Sequence, residues 1–443
     1  MRGTAQWIVV MSLLITLCSR GTAQQKTWRV SVSDPAADFT DLPQAVVAAG
    51  SGDMIFVYDL PWQTIPVHYT AAVIDKPLAI MGFFAGYPGS NTPSRASFKG
   101  GLFRIRGIPS GSRVTISNAV LIPVWRPINL GISDPHGIVA TDCDGEIVFE
   151  DLHYDGQTVA NSHLRFERCR SVVIRGSRLA ADGAPLTAID SNILVTASTV
   201  LGHGLYYPYS GAPYLTYLST TNTTEAIRIR NSKVTLIQTM SWGAANVSPL
   251  YTSLHLAQPA VRIESGELWI GPNTYLSGGL SPNGVGGWYY QSVCEQLPPG
   301  VSTIYRDPRA QLIGPQGAPM QPAAVHAVTH DFVVAGETYR VAVAGPANGF
   351  ALLAVGSALF PRLPTSLGTL AIDPSSLQII GAAAIPATVG YYVGNPAWNL
   401  PCPTNVPYGH VFAFQAAVLD PTGAITLTAP SPFTVGWQHG RIP

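Results

Sequence analysis

A short pattern of apolar and polar positions returns several times between residues 138 and 276. Each copy places apolar side chains two residues apart over a brief run and then breaks at a polar or small residue. The copies are 145–152, 171–177, 192–198, 233–239 and 267–273. A period of two is that of a β-strand, and its regular return is typical of a solenoid built from short units. The pattern therefore predicts a parallel β-helix.

The chain ahead of these copies predicts a strand, a helix and two more strands. Residues 28–32 alternate, whereas 44–49 follow N-cap candidates and have Pro43 in the first turn and Gly50 at the end. The apolar runs 54–58 and 78–81 have the length of strands. We therefore expect a short N-terminal helix at the start of the β-helix.

This opening segment resembles a known family. Residues 37–45 read Ala-Asp-Phe-Thr-Asp-Leu-Pro-Gln-Ala, and 74–82 read Ile-Asp-Lys-Pro-Leu-Ala-Ile-Met-Gly. Both are similar to the opening of the pectin lyase-like superfamily, in its secreted bacterial type. The resemblance implies a right-handed parallel β-helix whose open end is capped by a short helix. It implies an architecture and no particular activity, because this cap precedes enzymes and non-enzymes alike.

The pattern changes after the last clear copy, which ends near Ser277. Residues from about 323 onward predict strands at 330–334, 339–344, 351–355, 368–372 and 411–419, separated by Gly, Pro, Asn and Asp. We predict an all-β protein: a right-handed parallel β-helix with a short N-terminal capping helix over 24–300, a linker over 301–322, and an antiparallel β-sandwich domain over 323–443.

Composition narrows the function classes. The chain is 47% hydrophobic and only 11% charged, with a formal net charge of zero. This excludes a disordered protein and gives no basis for nucleic-acid binding. Arg2, the apolar run 7–17 and the small residues 21–23 predict a signal peptide over 1–23. We expect a secreted or cell-surface protein without a transmembrane segment.

The expected compartment makes the cysteines interpretable. Aligning the repeats gives Cys143 and Cys169 the same position in neighbouring units. Strands that stack ~4.8 Å apart suit the Cα separation of a disulfide. We predict a Cys143–Cys169 disulfide, and a Cys294–Cys402 disulfide by elimination. The alternative, buried free thiols, is less favoured in an oxidising compartment.

Outward positions of the first strand of each repeat carry several arginines. The alternation points Arg165, Arg228, Arg230 and Arg262 away from the core, with glutamates between them. Guanidinium groups pair bidentately with carboxylates, so this face could bind an acidic glycan. An insertion at 203–224, where the repeat spacing stretches from Val195 to Leu236, would add tyrosines that stack on sugar rings. These are Tyr206, Tyr207 and Tyr209.

A second interpretation of the same face is that its charges satisfy one another. The pairs would be Arg165 with Glu167, Arg262 with Glu264, and Arg175 with Glu150. Surface pairs of this kind contribute only ~0–1 kcal/mol each. Such pairing is what is ordinarily expected on an exposed sheet. On this interpretation the arginines bind no ligand.

Two motifs raise the possibility of an enzyme. Gly202-His203-Gly204 and Ile227-Arg228-Ile229-Arg230 resemble motifs of the polygalacturonase family. The resemblance implies that His203 assists the catalytic water and that Arg228 holds a uronate carboxylate. That family hydrolyses with paired aspartates, whereas only Asp190 stands in a comparable place here. Its Asn-Thr-Asp motif is missing, and Arg230 replaces its lysine.

A polysaccharide lyase is the other enzyme class. On this scaffold it would use a basic residue to remove a proton, often with Ca²⁺ on the uronate. Candidate acids are Asp142, Asp144, Asp155 and Asp182. A structural explanation fits them better, because Asp142 and Asp144 flank a predicted structural cysteine and Asp-Gly, at 155 and 182, is the usual turn dipeptide. Outside this alternative we predict no cofactor and no metal site.

The sequence therefore favours a secreted, non-catalytic β-helix scaffold that interacts with surfaces or glycans. The alternatives are a lyase or a polygalacturonase-like hydrolase of uronate polysaccharides, and a purely structural extracellular spacer. We expect a monomer whose partner is an extracellular polysaccharide.

Overall fold

The computed structural model describes residues 26–435 except 60–67, 85–95, 100, 123–136, 157–162, 182–183, 203–224, 245–256, 283–287, 299, 331–332, 334, 388–395 and 407–410. The chain divides into two compact units. The N-terminal unit is built on Thr27–Val325, and the C-terminal unit on His326–Ala387 together with Pro396–Gly436. No helix in the described part of the chain has the length and apolar character to cross a membrane.

The N-terminal helix, α1, spans Leu42–Ala48. The carboxylate of Asp41 accepts a hydrogen bond from the backbone N–H of Leu42 (2.8 Å), and Pro43 lies in the first turn. Its apolar side chains Leu42, Ala45 and Val46 join the core of the unit. The predicted helix is confirmed, and it begins two residues before the predicted 44–49.

Short strands make up nearly all the rest of the N-terminal unit. In chain order they are β1 (Thr27–Val30), β2 (Met54–Asp59), β3 (Val73–Ile74), β4 (Ala79–Phe84), β5 (Ala96–Lys99), β6 (Leu102–Arg106), β7 (Arg113–Ile122), β8 (Gly137–Gly156), β9 (His163–Arg175), β10 (Arg178–Ala181), β11 (Leu186–Ile189), β12 (Asn192–Thr196), β13 (Thr199–Leu201), β14 (Ile227–Arg230), β15 (Ser232–Ile237), β16 (Met240–Trp242), β17 (Val261–Ile263), β18 (Gly266–Ile270), β19 (Tyr275–Ser277), β20 (Leu280–Pro282), β21 (Trp288–Tyr290), β22 (Cys294–Gln296), β23 (Ser302–Arg306), β24 (Gln311–Ile313) and β25 (Gln321–Pro322).

All of these strands except the β20–β21 hairpin belong to one large parallel sheet, as predicted. Its pairings form three ladders, and in the middle of the unit each repeat supplies one strand to ladder 1, then ladder 2, then ladder 3. Ladder 1 runs β3, β6, β8, β9, β11, β14, β17, β22. Ladder 2 runs β1, β2, β4, β7, β8, β9, β12, β15, β18, β23, β25. Ladder 3 runs β5, β7, β8, β10, β13, β16, β19, β24.

The repeated sequence pattern corresponds to ladder 2. Its inward positions stack as register partners, and those side chains are at most 1% exposed; they are Val172, Ile193, Val234, Leu268 and Ile304. Val195 pairs directly with Leu236, so the long interval between them is one repeat that carries an insertion. Alternation places these side chains in the core because every second residue of a strand faces the same side.

The corner between ladders 1 and 2 is built in the same way in four successive repeats. A residue with positive φ turns the chain: Asp142, Arg168, Asp190 and Asn231. The next residue carries a small hydroxyl or thiol group, and we call these four the corner column: Cys143, Cys169, Ser191 and Ser232. Ser191 Oγ donates to the carbonyl of Ile189 and accepts from the backbone N–H of Cys169. Side-chain hydrogen bonds thus connect this corner of one repeat to the same corner of the next.

The ladders continue beyond the last copy found in the sequence. Strands β23, β24 and β25 lie within 301–322, which we expected to be a linker. These strands were not predicted because the stretch is rich in Gly and Pro and shows little apolar alternation. In β23, for example, Ile304 is the only buried branched apolar side chain.

The C-terminal unit consists of antiparallel strands. They are β26 (Ala327–His330), β27 (Thr338–Ala344), β28 (Phe350–Thr365), β29 (Gly368–Ile372), β30 (Gln378–Ala384), β31 (Ala397–Pro401), β32 (Val411–Leu419), β33 (Ile425–Leu427) and β34 (Ser431–Thr434). One sheet joins β26, β27 and β31, and the other is centred on β28 and β32. His330 of the first sheet contacts the rings of Phe414 and Phe433 of the second edge to face. The predicted strands 368–372 and 411–419 match β29 and β32.

Candidate functional site

The outward side of ladder 1 carries two columns of side chains, set by the register. The first outward column is Arg104, Val139, Arg165, Thr187, Arg228, Arg262 and Glu295. The second outward column is Arg106, Thr141, Glu167, Ile189 and Arg230. Strand β11 lies between Arg165 of β9 and Arg228 of β14 and contributes Thr187 and Ile189. Its residues Leu-Thr-Ala-Ile carry no charge, so the arginine ladder is interrupted.

Arg165 is engaged within its own strand. Its guanidinium group pairs with the carboxylate of Glu167, two residues along β9. This is the self-satisfying arrangement that the sequence suggested. Arg165 therefore has a partner without any ligand.

Arg262 is held on three sides. Its Nε donates to Glu295 Oε2 (2.9 Å), one Nη donates to Gln258 Oε1 (3.0 Å), and the other Nη lies 3.3 Å from Glu225 Oε2. The expected pair of Arg262 with Glu264 is wrong, because the carboxylates that bind this guanidinium come from Glu225 and from the next repeat. Each of the three guanidinium nitrogens of Arg262 has a protein partner, so this arginine has a structural role.

Glu225 is the buried centre of this cluster, and the sequence analysis missed it. The side chain is only 1% exposed, and its Oε1 accepts from Arg228 Nε at 2.5 Å. With Oε2 near Arg262, one carboxylate binds the guanidinium groups of two adjacent repeats. One sequence feature could have indicated it: Glu225 stands three residues before the outward Arg228, just ahead of β14.

Arg228 and Arg230 are the most available arginines on this face. Arg228 is anchored through Nε, its side chain is 41% exposed, and its terminal nitrogens have no partner among the described residues. Arg230 is exposed, and its guanidinium group likewise has no partner in the part of the chain that the structure describes. Both belong to β14 and, two residues apart, point to the same side.

The pair of Glu150 with Arg175 is present but is not on a solvated surface. Both side chains are 3% exposed, and Arg113 and Glu146 form a second ion pair beside them on the outward side of ladder 2. Burial lowers the pKa of Arg175, against the opposing effect of Glu150. This pair therefore belongs to the interior, where unpaired charge is strongly unfavourable.

Two of the three catalytic candidates, Asp190 and Arg228, are described, and each contacts another residue. Asp190 is an exposed corner residue with φ 48°, and its Oδ1 accepts from Asn231 Nδ2 at 2.5 Å. Asp142 binds Arg168 bidentately at a corner, which lowers the pKa of this aspartate. His203, Tyr206, Tyr207 and Tyr209 lie outside the described residues. Among the residues that are described, no three His, Cys, Asp or Glu side chains cluster as metal ligands would.

The four cysteines of the described chain are free thiols in the structure and are all buried. Cys143 and Cys169 are register partners in β8 and β9, as the alignment of the repeats predicted. Cys294 lies in β22 of the N-terminal unit, whereas Cys402 lies in the C-terminal unit. Both disulfides stay predictions.

An aromatic pair on the outward side of ladder 2 was also missed. Trp269 and Tyr305, register partners in β18 and β23, stack with ring centroids 4.0 Å apart. Lys233 Nζ lies 4.7 Å from the Trp269 ring, and the indole N–H donates to Glu267. The indole faces are therefore occupied by neighbouring repeats.

Comparison with protein-family models, with curated proteins and with solved structures finds no match.

Proposed function

We propose that this protein is a secreted, monomeric scaffold that binds an acidic glycan without transforming it. Its N-terminal unit would be a right-handed parallel β-helix of the pectin lyase-like type, and its C-terminal unit a β-sandwich. Two observations support this architecture. Successive repeats supply strands to the three parallel ladders in the same order, and a short helix packs into the core at the start of the unit.

The observation that carries the binding proposal is the anchoring of Arg228 by Glu225. The buried carboxylate binds Nε, and the two terminal nitrogens of this partly exposed guanidinium have no partner among the described residues. Two terminal nitrogens are one of the donor pairs through which a guanidinium binds a carboxylate bidentately. A uronate is therefore the ligand class that fits, with Arg230 two residues away as a second cation.

The state of the carboxylates supports a binding role over a catalytic one. Glu225 contacts two guanidinium groups and Glu295 contacts one. Asp190 accepts from Asn231. Acid–base hydrolysis needs one carboxyl group that donates a proton and one that accepts it. Carboxylates committed to arginines serve better as fixed counter-ions that position the cations.

A uronate hydrolase is the second candidate, and one contact favours it. Glu225 and Glu295 bind the same guanidinium, so two carboxylates converge on Arg262, the register partner of Arg228. Inverting glycosidases place their acid and base roughly 6.5–9.5 Å apart. On this alternative Glu295, which is 37% exposed, would be the group that reaches substrate.

The test measures binding and product formation in the same samples. Purified protein is applied to immobilised polygalacturonate and to a neutral glucan, with unsaturated uronates and reducing ends recorded. We expect retention on the acidic polymer and no product. Because Arg228 and Arg230 supply charge-assisted hydrogen bonds, the double change to alanine should weaken retention roughly tenfold or more.

The matched control is Arg104→Ala with Arg106→Ala. These arginines occupy the same two outward columns and are exposed, but they lie four rungs from β14. Equal losses in both double variants would reduce the proposal to a general attraction between charges. Products that disappear in Glu295→Gln would establish the hydrolase instead, and neither retention nor products would leave a structural spacer.

A further inference from the structure

The outward side of ladder 1 is electrically balanced once its carboxylates are counted with its arginines. Among the described residues from β9 to β22, it holds four arginines and, with Glu225 just ahead of β14, four glutamates. These are Arg165, Arg228, Arg230, Arg262, Glu167, Glu225, Glu264 and Glu295. Residues 203–224 and 245–256, which lie outside the described residues, contain no Asp, Glu, Lys or Arg. A polyanion along this face would therefore meet no net attraction.

The two available cations, Arg228 and Arg230, are confined to a single strand. On one side of β14, strand β11 places the uncharged Thr187 and Ile189 beside them. On the other side, Arg262 is the register partner of Arg228, and its three guanidinium nitrogens already have protein partners. Neither neighbouring strand, both of which the structure describes in full, therefore offers a free cation to a second carboxylate.

Carboxylates flank Arg230 on both neighbouring repeats. Glu264 donates its backbone N–H to the carbonyl of the residue before Arg230 (2.8 Å), and its side chain is partly exposed. Asp190, which is exposed, donates its backbone N–H to the carbonyl of Arg230 itself (3.0 Å). The next cation along the chain, Lys233, belongs to β15 and pairs with Glu267 (3.7 Å). A second anionic group beside a bound carboxylate would thus face an acid of like charge, which repels it.

We propose that Arg228 and Arg230 bind a uronate that stands alone between neutral sugars, and that Glu264 and Asp190 select against continuous polyuronates. This inference rests on the glycan binding proposed above and adds the spacing of charges that the ligand must have. One carboxylate binds the terminal nitrogens of Arg228, with Arg230 as the second cation. The adjoining sugars meet uncharged side chains or the two acids. A sugar hydroxyl can donate to those acids, whereas a second carboxylate is repelled by them.

The test compares three α-1,4-linked pentasaccharides by isothermal titration calorimetry with the purified protein. One contains only galacturonate, one has a single central galacturonate among galactoses, and one contains only galactose, which carries a hydroxymethyl group in place of the carboxylate. We expect the single-uronate sugar to bind roughly tenfold tighter than the neutral sugar and roughly threefold tighter than pentagalacturonate. The second difference should widen as the ionic strength falls to about 0.01 M, because the charges of Glu264 and Asp190 are then screened less.

Asp190→Asn combined with Glu264→Gln tests the two acids directly. Both changes keep the size of the side chain, and asparagine tolerates the positive φ of position 190 (48°). We expect this double variant to bind pentagalacturonate roughly threefold tighter than the wild type, with a smaller change for the single-uronate sugar. The matched control is Asp75→Asn with Asp144→Asn, which removes the same charge from exposed positions five and three rungs from β14. It should leave the ratio of the two affinities unchanged.

The outcomes separate this inference from the function on which it rests. Pentagalacturonate that binds the wild type as tightly as the single-uronate sugar, or more tightly, would overturn the inference and leave glycan binding intact. An unchanged affinity ratio in the variant of Asp190 and Glu264 would overturn the role of these acids. If neither acidic sugar binds more tightly than the neutral one, the proposed glycan binding fails and this inference fails with it. The wild-type comparison stands even if a variant does not fold.

Discussion

At the scale of single residues, the most consequential side chain is Glu225. Its side chain is only 1% exposed and binds two arginines from adjacent repeats. Arg228 keeps two terminal nitrogens for a ligand because this carboxylate takes its Nε. The binding proposal therefore depends on a residue that does not itself reach the ligand.

Glu225→Gln tests this role. The amide retains one acceptor oxygen but loses the charge that pairs with Arg228 and Arg262, so we expect the free energy of unfolding to fall by about 2 kcal/mol. Urea denaturation measures the change. Glu264→Gln is the control, because Glu264 is partly exposed and forms no ion pair with a described residue. Equal losses in both variants would contradict the anchoring role.

The buried pair of Glu150 and Arg175 allows a sharper test. Arg175→Met should destabilise the protein by roughly 3–5 kcal/mol, because it leaves the Glu150 charge buried without its guanidinium partner. Adding Glu150→Leu should recover most of that loss, since the second charge is then removed as well. A denaturation cycle over the wild type, both single variants and the double variant measures the coupling. A double variant as unstable as Arg175→Met would show that the lost packing, and not the charge, matters.

At the scale of elements, the corners between ladders determine how the strands follow one another. Between ladders 2 and 3, the residues with positive φ include Asp151, Gly176, Ala197 and Gln238. Only glycine adopts this conformation without a penalty, which is about 1 kcal/mol for other residues. Equivalent corners thus carry different backbone strain, although their strands pair alike.

Ala197→Gly should therefore stabilise the protein, and Gly176→Ala should destabilise it, each by about 1 kcal/mol or less once the unfolded chain is included. Ala197 has φ 47° and Gly176 has φ 58°. A Cβ at Gly176 would come no closer than 4.0 Å to Asp151 N, so the expected loss is conformational and not steric. Thermal unfolding of both variants measures the effects, and changes of the same sign would refute this account.

At the scale of the whole molecule, acidic conditions act on both units. Hydrogen bonds lower the pKa of Asp34 and Asp142 in the N-terminal unit and of Asp420 in the C-terminal unit; the main donors are Tyr58, Arg168 and Thr422. A carboxyl group with a depressed folded-state pKa stabilises the fold above its unfolded value, near 3.8. That contribution disappears as pH falls through the folded-state value. We expect stability to decline below pH about 4.

Asp142→Asn should isolate one part of this decline. At pH 7 the variant lacks the charged pair with Arg168 and should be less stable than the wild type. The difference should shrink as pH falls below the unfolded value, because Asp142 of the wild type then becomes protonated too. Urea denaturation at pH 7 and pH 3 measures both differences. A difference that grows on acidification would reverse the assigned sign.

Much of the ladder architecture could be predicted from the sequence. Strands such as β15 bury every second side chain, so the alternation of apolar and polar residues in the sequence reveals the strand period. The alignment of Cys143 with Cys169 followed from the same period. Strands β11 and β23 escaped prediction because they are short and lie in stretches with little alternation or many turn residues.

By itself, the sequence determined the strand period, the short first helix and which cysteines share a corner, because each of these depends on residues close in the chain or on a fixed repeat. Only the tertiary structure decided which charges meet. Arg262 binds Glu225 and Glu295, from different repeats, and not its neighbour Glu264. Stacking of repeats brings together residues more than thirty positions apart, and the burial of Glu225 follows from that stacking and not from any local pattern.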